Sequence, residues 1–318
     1  MRSVSIRAIS AAICCVLVTA CGGGDDSPTP TPTESPTPSP TPTPTSTPTE
    51  VDFDFSTDFT SSISNSAYAF AYFAPEGGTE VWSDGSRRNG QSQITYEVSP
   101  ESVEYVWPDT LELETFTAAD LLNSSPTIRT YRKGNSDGLQ MELPFQHVLR
   151  VVYEKSQSFI RETVPGTLRS FRYALFFNPV TTDDDITADL SYTGTPQVAG
   201  GEAGITAVGV ISSPDTTLVV GPDGDDIEIN GTIRILESVN GATVERAILP
   251  LTAEVGSSGS FNGLIEDETN GFEGNFVGAL AGPEREEIFV VFFAVKVDDE
   301  GNVDDEDQRK YIGSLIAN

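Results

Sequence analysis

A Pro/Thr/Ser tract at residues 25–50 confines any folded part of the chain to the residues that follow it. Such a composition cannot bury an apolar core, and its alternating prolines favour the extended polyproline II conformation. At about 3.1 Å per residue, the tract is expected to be a semi-rigid spacer that reaches up to roughly 75 Å. An unselected low-complexity linker has the same composition, and this alternative stays open. Residues 51–318 are therefore expected to carry the fold.

Residues 1–20 have the layout of a signal peptide. A short basic start precedes an apolar run, residues 8–20, which is too short to span a bilayer. The run ends in LVTAC, where Cys21 follows small residues. This arrangement resembles the lipobox of bacterial lipoproteins, which implies cleavage before Cys21 and its acylation by chains such as palmitate. Gly22, rather than Asp, implies retention at the outer membrane, whereas an ordinary signal peptide with a chance cysteine is the alternative.

Cysteine usage excludes several classes of site from the folded part. Cys14 and Cys15 lie in the predicted signal peptide, and Cys21 is the predicted lipidation site. Since no cysteine follows residue 21, the fold has no disulfide, thiol nucleophile, zinc–thiolate site or cysteine-held iron–sulfur cluster. Its stability must come from a packed core.

The charge balance restricts the partners of the protein. The chain has 48 acidic and 18 basic residues, which give a formal net charge of −30 at pH 7. Removal of residues 1–20 would take away two arginines and no acidic residue, so the mature chain is more acidic still. A surface of this charge repels nucleic acid and anionic lipid. We expect no nucleic-acid partner.

The pattern of residues 51–318 predicts a mainly β fold. Runs such as residues 91–98 and 102–107 alternate β-branched or aromatic residues with polar ones, and they end at turn formers. One short helical turn is predicted at 117–122, with Thr117 as its cap. Turn formers and carboxylates at 178–187 indicate a boundary between a β-rich domain at 51–186 and a second one at 187–318. Eight antiparallel strands are predicted in the second domain, at residues 188–194, 216–221, 226–236, 244–254, 259–265, 271–280, 286–297 and 309–316, with the gap at 195–215 as a loop or short helical crossover.

Glycines and aromatic residues at close spacing in the last third of the chain form a motif. Their order is Gly-x-Phe-x-Gly, Gly-x-Phe, Gly-Pro-x-x-x-Glu and a final glycine, and it is similar to that of transferrin-binding-protein-like bacterial surface lipoproteins. The resemblance implies a small β handle domain at 51–186 and an eight-stranded antiparallel β-barrel at 187–318. In such a barrel, glycine lets strands coil or approach closely, while alternate aromatic residues fill the interior. The matching residues are Gly259, Phe261, Gly263, Gly274, Phe276, Gly282, Pro283, Glu287 and Gly313.

One strand departs from the family pattern. Where the family has a Gly-rich strand, this chain has IFVVFFAV at residues 288–295. A continuous apolar run implies burial on both faces or an exposed apolar patch. We expect the strand to pack against the N-terminal domain, with an exposed partner-binding surface as the alternative.

No catalytic or metal-binding constellation stands out, so we expect neither an enzyme nor a bound cofactor. His147 is the only histidine, and no spacing supports a haem site that pairs it with Tyr131 or Tyr153. Three acidic clusters in predicted loops could gather calcium, yet none matches the twelve-residue calcium loop, and solvated hairpin tips are the simpler interpretation. These clusters are Asp183, Asp184 and Asp185; Asp223, Asp225 and Asp226; and Asp298, Asp299 and Glu300 with residues 304–307.

Aromatic residues of the N-terminal half allow two interpretations. Tyr68, Phe70 and Tyr72 alternate with alanines, which predicts three rings on one face of a strand, although an Ala-rich helix is also compatible. Trp82 and Trp107 would anchor an interface if they lay at loop tips, or would cover an edge of the core.

The resemblance implies a non-catalytic binding protein that is anchored in the outer membrane through its lipid. Well-known members of the family capture host iron carriers, so a protein ligand or an outer-membrane receptor is an expected partner, and iron or other nutrient acquisition is an expected role. A small-solute ligand is also compatible, and the protein would face the cell surface or the periplasm. The alternative is a structural or adhesive surface lipoprotein without a dedicated ligand.

Overall fold

The structure is a computed structural model that describes residues 51–318 except 63–64, 89, 109–111, 205–209, 240 and 298–308. The signal peptide, Cys21 and the linker at 21–50 lie outside the described residues, as does the acidic cluster that begins at Asp298. Cleavage, lipidation and the spacer role therefore stay predictions.

Four antiparallel sheets make up the described part of the chain, and strands are numbered along the sequence. Sheet A has the order β1 (Phe59–Ser61), β4 (Gln93–Val98), β5 (Glu101–Val106) and β6 (Leu113–Thr117). Sheet B has the order β3 (Val81–Arg88), β2 (Asn65–Pro75), β11 (Val164–Phe177), β10 (Val148–Arg161), β9 (Asp137–Glu142), β8 (Ile128–Lys133) and β7 (Leu121–Ser124).

The C-terminal half forms the other two sheets. Sheet C has the order β12 (Leu190–Gly194), β15 (Thr216–Asp223), β16 (Asp226–Val239) and β14 (Ile211–Ser212), and β17 (Ala242–Glu254) also pairs with β16. Sheet D has the order β13 (Gln197–Glu202), β21 (Arg309–Ala317), β20 (Glu287–Lys296), β19 (Phe272–Ala281) and β18 (Ser260–Asp267).

The mainly β fold is confirmed, and each of the eight stretches predicted beyond residue 187 overlaps a strand. Two short strands, β13 and β14, lie within 195–215, where we expected a loop or a helical crossover. The described residues all belong to one compact unit, and the division into domains at 51–186 and 187–318 stays a prediction. No helix in the described part of the chain is long and apolar enough to cross a membrane.

The eight-stranded barrel is not confirmed, because the ladders of the C-terminal half form two five-stranded sheets, neither of them closed. Between β17 and β18 the ladder is reduced to one isolated bridge, Val255 with Phe261. The chain reverses between these two residues through Gly259, whose φ of +77° favours glycine. Beyond this bridge the two strands run side by side without a ladder, and Asp267 at the far end of β18 accepts the N–H of Ile248 of β17 through Oδ2 at 2.7 Å.

The sheets stack in the order A, B, D, C, with an apolar core between each neighbouring pair. The A–B core contains Trp107, Phe116, Tyr131 and Tyr153. The B–D core contains Tyr68, Trp82 and Phe289. The C–D core contains residues of β15 to β21 such as Ile233, Leu249, Phe261, Phe276 and Phe292. Sheets B and D are therefore covered on both faces.

Strand β20 shows why sheet D needs two cores. Its even-numbered residues from Ile288 to Ala294 lie in the C–D core. Phe289 and Val291 lie in the B–D core, and Phe293 packs against it. The expectation that residues 288–295 are buried on both faces by packing against the N-terminal half is confirmed.

The aromatic residues of the N-terminal half serve as core. Tyr68, Phe70 and Tyr72 lie on β2, a strand rather than a helix, and face the B–D core. Trp82 and Trp107 are buried in the B–D and A–B cores, so neither anchors an exposed surface.

The helical turn predicted at 117–122 is a single 3-10 turn, Ala118–Asp120. Thr117 precedes it and donates its main-chain N–H to Asp120 Oδ2 at 2.9 Å and its hydroxyl to the same oxygen at 3.1 Å. The chain then continues directly into β7 at Leu121, so the turn is a corner between sheets A and B.

Phenylalanines of the motif lie over glycines on the opposite strand. Phe261 is paired with Gly278, and Gly263 with Phe276, in the β18–β19 ladder. A Cβ atom at Gly278 would lie 2.5 Å from the Phe261 ring, and one at Gly263 would lie 2.6 Å from the Phe276 ring. The glycines thus leave room for two rings that are buried in the C–D core with centroids 6.3 Å apart.

We predict that Phe261→Ala lowers the free energy of unfolding by about 3 to 5 kcal/mol, because the ring is buried in the C–D core. Urea denaturation checks this value. Leu264→Ala on the same strand is the matched control, since that side chain is exposed, and its effect should be within about 0.5 kcal/mol. A loss of less than about 1 kcal/mol for Phe261→Ala would contradict the inward placement.

Candidate binding cleft and hairpin tip

The Gly-Pro-x-x-x-Glu part of the motif ties sheet D to the N-terminal half. Gly282, at φ +87°, donates its N–H to the carbonyl of Asn178 at 2.9 Å. Glu287 accepts the main-chain N–H groups of Gln146 and His147 at 2.6 and 2.7 Å through a single carboxylate oxygen. The turn therefore ties the start of β20 to two segments of the N-terminal half, the one that precedes β10 and the one that follows β11.

Pro283 and Asn178 complete this junction. The Pro283 carbonyl accepts N–H groups from Thr181 and Thr182. The Asn178 side chain accepts the N–H of Val51 at 2.7 Å and donates to its carbonyl at 2.9 Å. The segment at 178–187 contains no strand, as expected, but its first residue is a buried anchor rather than only a turn former.

Glu287 is a buried carboxylate with an unusual environment. Burial raises the pKa of Glu287, although the N–H groups of Gln146 and His147 and the nearby imidazole lower it. The His147 ring lies 3.9 Å from a carboxylate oxygen of Glu286 and faces Gly282. These contacts give the only histidine of the chain a structural position beside the turn.

The remaining motif glycines lie where neighbouring strands of sheet D approach each other closely. A Cβ atom at Gly274 would collide with the Phe293 carbonyl, and one at Gly313 with the Gln197 carbonyl. These contacts give the motif residues structural positions, and their assignment as a barrel signature stays a prediction.

The residues considered as haem ligands, His147 with Tyr131 or Tyr153, do not lie together in the structure. Tyr131 and Tyr153 lie in the A–B core, where their hydroxyls donate to Glu101 at 2.7 Å and Asp137 at 2.8 Å. Burial and these carboxylates raise the pKa of both phenols. His147 instead contacts the turn at the start of β20.

Two of the acidic clusters lie among the described residues, and no group of three or more potential metal ligands converges in that part of the chain. The carboxylates at 183–185 and those of Asp223, Asp225 and Asp226 belong to exposed residues. This agrees with the interpretation of these two clusters as solvated loops.

An open cleft of about 910 Å³ lies where β2 and β3 of sheet B meet β18 and β19 of sheet D. Its walls combine phenyl rings with small and amide side chains, and Arg87 faces it from β3. The lining residues are Ser66, Ala67, Arg87, Arg88, Gly90, Phe177, Ser260, Phe261, Asn262, Gly263, Leu264, Asn275, Phe276, Val277, Gly278, Ala279 and Phe289.

Arg87 is the charged group most withdrawn from solvent in this cleft. It lies opposite Tyr68 in the β2–β3 ladder and therefore faces sheet D. Its Nη1 atom is buried and has no hydrogen-bond partner within the described part of the chain. This burial lowers the pKa of the guanidinium. The sequence pattern alone does not identify Arg87. The signal that it offers is a pair of adjacent arginines in a strongly acidic chain.

A second candidate is the tip of the β10–β11 hairpin. Each strand has 14 residues, but β9 pairs with β10 only between Arg150 and Lys155, and β2 pairs with β11 only as far as Gly166. Beyond Lys155, β10 therefore has only β11 as a neighbour in the described part of the chain, whereas β2 borders β11 up to Gly166. The tip of this hairpin arm exposes Phe159, Ile160 and Val164, at 40%, 67% and 46%.

Comparisons with known proteins do not assign a family. No protein-family model matches the chain, and no curated protein matches it. Among solved structures, the chain is similar to a double mutant of transferrin binding protein B, a vaccine antigen from Haemophilus parasuis Hp5, with 9% identity and a TM-score of 0.31. The match covers 82% of this chain and 60% of that chain, so this chain spans about 60% of the length of that protein. A similarity this low carries no conclusion about function.

We predict that Glu287→Ala destabilises the fold by about 2 to 4 kcal/mol, because two main-chain N–H groups of the junction lose their acceptor. Glu287→Gln keeps one carbonyl oxygen for both donors and should cost less than about 1 kcal/mol. Guanidinium denaturation of the two variants measures the difference. Equal losses would show that the two hydrogen bonds do not stabilise the junction.

Proposed function

We propose that this protein is a lipid-anchored protein of the outer membrane, exposed at the cell surface, that binds a protein ligand without catalysing a reaction. The observation that carries the proposal is the tip of the β10–β11 hairpin. Three large apolar side chains, Phe159, Ile160 and Val164, stand in solvent at the end of an arm. Grouped exposed apolar residues of this kind favour burial against a partner.

The base of the arm makes it a firm support for binding. Val148 lies in the B–D core, Leu149 and Val151 lie in the A–B core, and β11 returns through Phe176 in the A–B core. Phe159 packs edge-on against the Phe73 ring with centroids 6.2 Å apart. A support that is already ordered reduces the entropy that binding would remove.

The charge of the chain favours a protein partner over nucleic acid or an anionic membrane. A formal net charge of −30 repels both of these surfaces. The predicted lipid at Cys21 and the spacer at 25–50 would hold the fold away from the bilayer, where a partner in the medium or an outer-membrane receptor could reach the tip.

The motif resemblance adds a more specific form of the proposal. Sheets A and B would correspond to the handle domain, and sheets C and D would correspond to a barrel in which the β17–β18 ladder is reduced to one bridge. By the same resemblance, the ligand would be an iron carrier or another nutrient-bearing protein.

We predict that Ile160→Asp weakens capture of the partner at least about tenfold, because a hot-spot residue typically contributes about 2 kcal/mol or more. The test uses the full-length protein in detergent as bait against envelope extract and culture medium, with partners quantified by mass spectrometry. Leu122→Asp is the matched control, since that leucine is exposed elsewhere.

The proposal requires one saturable partner that the unaltered protein and Leu122→Asp capture equally and Ile160→Asp loses. Capture that is unchanged in Ile160→Asp would exclude the tip as the binding site. A blank for all three proteins would overturn the binding function in favour of a structural or adhesive lipoprotein.

A further inference from the structure

We infer that the cleft between sheets B and D binds a small carboxylate that carries an apolar group, with Arg87 as the partner of the carboxylate. This site is separate from the hairpin tip and does not depend on the proposed protein ligand. It goes beyond that function because it assigns a small-molecule site to the junction of the two halves.

The first support is a local inversion of charge. The chain has 48 acidic and 18 basic residues, yet the lining of this cleft contains no carboxylate among the described residues, and Arg87 faces it from β3. A basic cleft on an acidic molecule focuses its attraction on anions.

The second support is the hydrogen bonding of the Arg87 guanidinium. Its buried Nη1 finds no acceptor in the described part of the chain, and an unpaired buried donor is costly. A carboxylate in the cleft would accept a charge-assisted hydrogen bond from this atom, and such bonds are among the strong ones. The ligand would thus satisfy a group that the fold leaves unsatisfied.

The walls define the rest of the ligand. Phe177, Val277 and Phe289 line the cleft, with Leu264 exposed at its side, so an apolar group is matched by apolar surface. Amide side chains of Asn262 and Asn275 complete the lining. The overall negative charge disfavours a polyanion, which makes a single carboxylate the best match for this site.

The test is isothermal titration calorimetry of the full-length protein in detergent with hydrocinnamate and with its neutral isostere, hydrocinnamamide. We expect hydrocinnamate to bind about tenfold to a hundredfold more tightly than the amide, the ratio for one hydrogen bond to a charged group. Arg87→Gln should abolish this preference. Arg234→Gln, at an exposed ion pair with Glu245 in sheet C, should leave it unchanged.

A second variant keeps the test informative if Arg87→Gln fails to fold. Asn275→Trp places a large side chain in the cleft from an exposed position of β19 and should remove binding of both compounds, while circular dichroism and the melting temperature stay near those of the unaltered protein. Absence of saturable hydrocinnamate binding, equal binding of acid and amide, or binding unaffected by Asn275→Trp would each overturn the inference.

Discussion

Burial of β20 on both faces is the constraint on which the rest of the structure depends. Alternate residues of this strand enter the C–D core and the B–D core, and residues 288–295 are apolar without interruption. A strand of this kind is stable only in an inner layer. Sheet D must therefore be covered by sheet C on one side and by sheet B on the other, which joins the two halves of the chain without a cysteine in the folded part.

The junction at the start of β20 fixes how the halves meet. Glu287 and Gly282 bind main-chain groups of the segments that flank sheet B, and Asn178 links the same place to Val51, the first described residue. With the base of β10–β11 held between two cores, the hairpin tip projects from a firm support. The cleft that contains Arg87 lies where sheets B and D diverge at β18 and β19.

The local sequence pattern was sufficient to predict the strands. It did not predict how strands that are distant in the sequence meet. Alternation predicted the mainly β fold, and the run at 288–295 predicted a doubly buried strand. The break between sheets C and D falls between β17 and β18, where one bridge and a side-chain hydrogen bond replace a ladder, and strand pattern does not specify which neighbouring strands form one. Arg87 became a candidate only because Tyr68, its neighbour on β2, faces sheet D. Likewise, Phe159 and Ile160 resemble core residues in sequence, and they are exposed because the pairing of β9 with β10 ends at Lys155.

The measurement that tests the layered packing most directly is urea unfolding of Phe292→Ala, followed by tryptophan fluorescence and by circular dichroism. Phe292 lies in the C–D core, whereas both tryptophans, Trp82 and Trp107, lie in the N-terminal half. If β20 couples the halves, both probes will show one coincident transition, destabilised by about 3 to 5 kcal/mol. An unchanged fluorescence midpoint, with a separate earlier loss of circular dichroism, would contradict the coupling.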